Sequence, residues 1–211
     1  MSISSLHGIY LLLDEQWSEN ISLAQVMELA IQCGVRLFQY RNKTDSMLNS
    51  YRKGLILKKL AFNSGATFIV NDRCDLAMAL DADGVHLGQD DLPLESAQFI
   101  MGKEKIIGIS THRSEQVVAA NNGGADYLGF GPIFPTVTKS DYKPVVGIQG
   151  LKQVRALTSL PIFAIGGLDL ESIPLIKEAG GDGVAVASVV FNSKNIKNTL
   201  RQLVNSFPSE A

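Results

Sequence analysis

Histidine and cysteine are scarce in this chain, and their spacing excludes several chemistries. The three histidines, His7, His86 and His112, are scattered, and Cys33 and Cys74 form no metal-type spacing. No H-E-x-x-H, C-x-x-C, G-x-S-x-G or P-loop pattern occurs. Two thiols in 211 residues do not make a disulfide scaffold, so both read as reduced core residues. No stretch reaches the roughly 18 apolar residues of a membrane span. The stretch from Met1 to His7 also lacks a basic region followed by a long apolar segment, so a cytoplasmic protein is expected. Charge is scarce as well. A formal net charge of -2 gives no general attraction to nucleic acid or to an anionic membrane, and any basic side chain that matters must act locally.

What is present is apolar residues, 45% of the chain, in short runs separated by helical patterns. The runs at 8–13, 35–41, 67–70, 84–87, 105–110, 125–130, 161–165 and 183–186 read as strands. Between the first two, Ser22 and Gln25 form a capping box ahead of a helix bearing Leu23, Val26, Met27, Ala30 and Ile31, which Gly34 ends. Asp45 is expected to cap the next helix, with Leu48, Tyr51 and Leu55 on its apolar face. A weak repeat places glycine just before several strands, as in Asp83-Gly84-Val85 and Gly181-Asp182-Gly183. Eight β-then-α units without a linker predict one (β/α)8 TIM barrel over residues 1–211, with parallel strands and short helices, shortest between strands three and four. An open doubly wound sheet is the alternative, but no G-x-G-x-x-G follows the first strand.

In such a barrel the chemistry lies just past the C-terminal end of each strand. Strand two delivers Gln39, Arg41 and Lys43 on one face and Tyr40 and Asn42 on the other, by the period of two. Arg41 offers a planar fork for phosphate oxygens and Lys43 a point charge, although a solvated basic loop would look the same. Strand three ends at Asn71-Asp72 and strand four at Gly88-Gln89-Asp90-Asp91. Each alone reads first as a turn or helix cap, but adjacent parallel strands would bring the carboxylates to one rim. That suits Mg²⁺, a hard ion that often takes only one or two carboxylates. Strand six exits into the long loop from Gly129 to Ser140, where glycines would let backbone approach a ligand and Thr136, Thr138 and Lys139 supply oxyanion donors. Strands seven and eight exit at Gly166-Gly167 and Ala187-Ser188, positions where backbone N–H groups at a helix N-terminus commonly hold phosphate. His86 alternates with Val85 and Leu87 and reads as an interior structural histidine. This inventory of phosphate clamps and a hard metal fits a departing diphosphate eased by charge stabilisation.

Taken in order, Gln39-Tyr40-Arg41-Asn42-Lys43, Asn71-Asp72, the run from Gly84 to Asp91, Gly108-Ile109-Ser110, the run from Gly131 to Lys139 and Ala164-Ile165-Gly166-Gly167 closely resemble the thiamine phosphate synthase family along nearly the whole chain. The resemblance implies a Mg²⁺-dependent (β/α)8 enzyme that joins a hydroxymethylpyrimidine diphosphate to a thiazole phosphate and releases pyrophosphate. By motif it implies Asp72 and Asp91 as metal ligands, with Arg41, Lys43, Asn71 and Lys139 on the diphosphate. Gln39 would seat the pyrimidine and Ser110 would lie near the reacting carbon, giving Ser110, Lys139 and Arg41 the catalytic roles. Thr136, Thr138, Gly167, Ala187 and Ser188 would bind the thiazole phosphate. Asn42 departs from the acid often found there in the family, but it sits on the opposite face from Arg41 and Lys43. Small-molecule substrates are the implied partners, and a homo-oligomer is left open. A thiazole tautomerase with a similar barrel and a non-catalytic phosphometabolite-binding barrel are the competing readings.

Overall fold

A computed structural model of the chain describes residues 6–18, 20–135 and 144–207. Eight strands close into one parallel barrel in sequence order: β1 (Gly8–Asp14), β2 (Leu37–Arg41), β3 (Thr67–Asn71), β4 (Gly84–Leu87), β5 (Ile106–Thr111), β6 (Tyr127–Phe130), β7 (Ile162–Ile165) and β8 (Gly183–Val186), with β8 pairing to β1. Helices alternate with them: α1 (Leu23–Gln32), α2 (Met47–Ser64), α3 (Cys74–Ala79), α4 (Leu94–Met101), α5 (Ser114–Asn122), α6 (Gly147–Arg155), α7 (Ile173–Glu178), α8 (Ser188–Phe191) and α9 (Ile196–Ser206). Parallel strands cannot be joined by tight hairpins, so each apolar run hands over to a crossover. The fold is the (β/α)8 barrel that the strand pattern predicts.

The period of two divides every strand between two cores. Ile9, Leu11 and Leu13 face outward and pack with Phe38, Tyr40, Phe68, Val70, Val85 and Leu87 against the helices. Tyr10, Leu12, Leu37, Ile69, Tyr127, Phe163 and Ala185 form a smaller core inside the barrel. Among the described residues no helix is long and apolar enough to cross a membrane.

The capping box at Ser22 and Gln25 forms as expected. Two expectations for α2 do not hold. Its cap is Ser46, whose Oγ accepts from the Asn49 N–H, while the Asp45 carboxylate instead takes the Asn42 amide at 2.9 Å and the Lys53 ammonium at 2.7 Å. An ammonium is a stronger partner for a carboxylate than a backbone amide, and the neighbouring hydroxyl takes the cap. The buried face of α2 is Ser50, Gly54, Leu57 and Ala61, with Tyr51 partly buried against the core as expected, whereas Leu48 and Leu55 are 55% and 44% exposed. Close approach selects the small residues: a Cβ on Gly54 would fall 2.5 Å from Leu80 Cδ1.

Candidate active site

The C-terminal mouth of the barrel holds a cleft lined by Gln39, Arg41, Asn71, His86 and Ser110, with Tyr10, Leu12, Gly129, Phe163, Ile165 and Ala185 completing its walls. Alternation in β2 does what the sequence pattern requires. Gln39 and Arg41 face the cleft, while Tyr40 joins the outer core and accepts a hydrogen bond from Asn42 Nδ2 at 3.0 Å. Asn71 ends β3, and Ser110 lies in β5 with its main-chain carbonyl held by Gln89 Nε2 at 2.7 Å.

Charges around the mouth are held by other charges. Asp14, the last residue of β1, is buried and accepts from Arg41 Nη1 at 2.5 Å, which fixes the guanidinium over the cleft. Behind it Lys53 bridges Glu15 and Asp45, tying the turn after β1 to the segment before α2. Asp72 has φ +63, a left-handed conformation that a non-glycine residue adopts at a penalty of about 1 kcal/mol or more. Its buried Oδ2 forms an ion pair with Lys43 Nζ, yet has no partner in hydrogen-bond geometry among the described residues. Asp91 sits against Asp72, with its Oδ2 accepting from the Gly88 N–H at 2.6 Å.

Two carboxyls in contact cannot both ionise cheaply. Burial, then the Asp91 carboxyl, pushes Asp72 above the ordinary carboxylate range, with Lys43 opposing. Burial also acts to raise Asp91, but the hydrogen bond with Asp72, the Gly88 amide and the positive charge of Lys43 bring it net below that range. The two carboxyls therefore titrate apart, with Asp91 the first to ionise and Asp72 the second. Among the described residues no group of three or more histidine, cysteine, aspartate or glutamate side chains is arranged to hold a metal ion, so any ion here would draw most of its ligands from water or substrate.

Beneath the cleft a polar chain crosses the barrel interior. Gln39 Nε2 donates to Tyr10 OH at 2.7 Å, Tyr10 OH meets Tyr127 OH at 2.7 Å, Tyr127 OH meets His86 Nδ1 at 3.0 Å, and His86 Nε2 meets Ser110 Oγ at 2.9 Å. His86 points inward and is hydrogen-bonded, as its alternation with Val85 and Leu87 predicts.

Gln39, Arg41, Asn71 and Ser110 are thus brought together, and Lys43, Asp72 and Asp91 form one ionic group at the ends of β2, β3 and β4. Gly167 has φ +66, and a Cβ there would fall 2.5 Å from the Pro135 carbonyl oxygen. The segment after β6 runs alongside the exit of β7, with Ile133 N–H on Ile165 O at 2.9 Å and Phe134 N–H on Gly166 O at 3.0 Å. Ala187 is the N-cap of α8 and Ser188 its first residue, but that helix has only four residues. Thr136, Thr138 and Lys139 lie outside the described residues. One expectation needs correcting: the glycines of the β6 exit make room for protein. A Cβ on Gly129 would sit 3.2 Å from His86 Cε1, and one on Gly131 would sit 2.0 Å from the Ile165 carbonyl oxygen.

Asp14, Tyr10 and Tyr127 escaped the sequence reading. Register could have found the tyrosines, since both occupy inward positions of apolar runs, where a hydroxyl requires a partner. A wider groove between the segment before α7 and the α8–α9 region, lined by Asp169, Glu171, Asn192, Ser193 and Thr199, contains none of the predicted residues.

A closed parallel barrel with basic, amide, hydroxyl and carboxyl side chains gathered at its C-terminal mouth defines an enzyme of small molecules. The model of the family described as thiamine monophosphate synthase matches residues 9–190, and the chain belongs to that family. It is 43% identical to the thiamine-phosphate synthase of Persephonella marina over 198 residues, 94% of each chain. Against that of Syntrophomonas wolfei it is 39% identical over 201 residues, 95% of this chain and 96% of the other. Its fold matches the solved thiamine phosphate pyrophosphorylase of Pyrococcus furiosus with a TM-score of 0.88 at 31% identity, covering 97% of both chains. The protein is a transferase of thiamine biosynthesis.

Proposed function

We propose that this barrel condenses 4-amino-2-methyl-5-(hydroxymethyl)pyrimidine diphosphate with 4-methyl-5-(2-phosphoethyl)thiazole to give thiamine phosphate and pyrophosphate; with the carboxylated form of the thiazole, the carboxyl also leaves as carbon dioxide and a proton from water takes its place. The observation that carries the reading is the convergence of Gln39, Arg41, Asn71 and Ser110 on one cleft, with the paired carboxyls of Asp72 and Asp91 at neighbouring strand ends. In the substitution the C–O bond to the diphosphate breaks, and pyrophosphate leaves with the electron pair. The pyrimidine methylene cation is then captured as the thiazole nitrogen donates its lone pair to form the C–N bond. That nitrogen has no proton to lose, so this step needs no general base.

Each side chain has a role in this reaction. Arg41, aimed by Asp14, grips the diphosphate oxygens, and Asn71 and Lys139 add donors to them. Gln39 seats the pyrimidine, and Ser110 donates to the departing group beside the reacting carbon. Thr136, Thr138, Gly167, Ala187 and Ser188 hold the thiazole phosphate. Asp72 and Asp91 fit a Mg²⁺ site: they are hard carboxylates in contact, one with a buried oxygen lacking hydrogen-bond partners among the described residues, and Mg²⁺ commonly needs no more protein ligands than these. When bound, the ion would supply neutralisation of charge on the diphosphate. Lys43 keeps Asp72 company when the pair is ionised and joins the grip on the diphosphate when substrate arrives.

Mixing the purified protein with both substrates and Mg²⁺ tests the reading through pyrophosphate release. The expected result is stoichiometric pyrophosphate and thiamine phosphate. Isomerisation of the thiazole without pyrophosphate would assign a tautomerase, and binding without turnover a metabolite sensor.

A further inference from the structure

The polar chain inside the barrel has a direction. Gln39 donates to Tyr10 through its amide nitrogen, so the Tyr10 oxygen is already an acceptor. A hydroxyl has one hydrogen. If Tyr127 donated to Tyr10, the Tyr10 hydrogen would be stranded in a buried site, whereas donation from Tyr10 to Tyr127 satisfies both. The Tyr127 hydrogen then goes to His86 Nδ1, which must be the unprotonated nitrogen. A neutral imidazole carries its one hydrogen on the other nitrogen, so Nε2–H donates to Ser110 Oγ and leaves the Ser110 hydrogen unspent.

Several features mark the chain as built. A Cβ on Gly108 would lie 2.0 Å from Tyr127 Cζ, so that strand glycine exists to admit the ring; one on Gly129 would press on His86 Cε1 at 3.2 Å. Phe163 packs edge-on against Tyr10 and Tyr127, with ring centroids 5.2 and 5.6 Å away, and closes the space with apolar atoms. Burial pushes both phenols above their ordinary pKa, which keeps their hydrogens in place. Because Gln89 independently holds the Ser110 carbonyl, the Ser110 hydroxyl is what His86 governs.

We propose that Tyr10, Tyr127 and His86 are positioning residues: the relay holds His86 as the Nε2–H tautomer, so that Ser110 accepts from inside the barrel and presents its own hydrogen to an oxygen of the departing diphosphate. The identity of that acceptor rests on the proposed reaction; the tautomer does not. The ends of the relay are Gln39 and Ser110, so the pyrimidine seat and the departure donor share one proton order.

Nitrogen-15 NMR of imidazole-labelled protein reads the tautomer without substrate. The expected spectrum has His86 neutral, with Nδ1 bare and Nε2 protonated, and a Tyr127→Phe variant losing the hydrogen bond at Nδ1. A protonated Nδ1, or equal populations of the two tautomers, overturns the proposal. In turnover, Tyr127→Phe should lower kcat about tenfold with KM little changed. In a Ser110→Ala background it should add nothing, because the two act in series; fully additive losses would overturn the relay. His86→Gln keeps an N–H near the Nε2 position and should retain more kcat than His86→Asn, with both compared at matched thermal midpoints; the reverse order contradicts the proposal. If the wild-type protein releases no pyrophosphate, the reaction assignment falls and the NMR result alone decides the tautomer.

Discussion

The two rims of this barrel use aspartate in opposite ways. At the N-terminal rim, Asp83, Asp126 and Asp182 stand just before β4, β6 and β8, and each forms a closed pair with the preceding strand. The Asp83 N–H donates to Phe68 O at 2.9 Å while its Oδ2 accepts the Phe68 N–H at 2.7 Å. Asp126 does the same with Ile107, and Asp182 with Ile162. These carboxylates complete a backbone network, and Lys58 and Arg155 neutralise two of them. At the C-terminal rim Asp14 and Asp91 also accept from local backbone amides, but the long-range partners are other side chains. Asp14 holds an arginine, and Asp72 adopts a left-handed backbone conformation to sit against another acid. An acid that stabilises strand ends belongs to the fold. Acids crowded together raise the free energy of the empty site, and a cation bound between them would relieve it.

Breaking the upper rim should have the largest effect. Asp91→Ala is expected to lower turnover by about a hundredfold or more while the thermal midpoint stays within a few degrees, since rim carboxylates contribute little to packing. Steady-state pyrophosphate release beside a melting curve checks this, and a turnover unaffected by the loss would remove Asp91 from the site. Arg41→Lys keeps the charge but loses the planar fork, and kcat/KM should fall about tenfold; an unchanged value would mean that position 41 needs only a point charge. Asp182→Ala acts on the lower rim. It should destabilise the fold by ~1–2 kcal/mol by leaving the Ile162 N–H without its acceptor, lowering the midpoint by several degrees at full activity per folded molecule.

The smallest expected effect is at Asp126. Burial raises its pKa, while the Ile107 amide opposes the shift. A raised folded value means that the native state binds the proton more tightly than the unfolded chain does. The contribution of this carboxyl is therefore complete below the unfolded value of about 3.9 and is lost as pH rises through the folded one. Asp126→Asn should then be slightly more stable than wild type at neutral pH, by less than ~1 kcal/mol, and the advantage should shrink as pH falls. Urea melts at neutral and acid pH measure it; a difference that does not change with pH would contradict the sign.

Strand exits were legible because a buried strand must be apolar and ends where polar residues begin, so Asn71-Asp72 and Gly88 to Asp91 mark themselves. The period of two also sorted Gln39 and Arg41 from Tyr40 and Asn42 without coordinates. Long-range pairings were not legible. Tyr10 and Tyr127 are 117 residues apart in sequence, and only closure of the barrel brings their hydroxyls to 2.7 Å. Asp14 lies just past the apolar run at 8–13 and drew no attention, and its grip on Arg41 depends on the register of Asp14 against Arg41 in the β1–β2 pair. The face of α2 was misjudged because large apolar residues attract attention, whereas the helix packs through Ser50 and Gly54, where backbone distance rather than hydrophobicity decides.

A crystal structure with thiamine phosphate, pyrophosphate and Mg²⁺ bound tests the central claim most directly. The account predicts the ion at about 2.1 Å from oxygens of Asp72 and Asp91, with pyrophosphate against Arg41 and Asn71 and the pyrimidine beside Gln39. Product bound elsewhere on the barrel, or an ion that touches neither carboxylate, would contradict it.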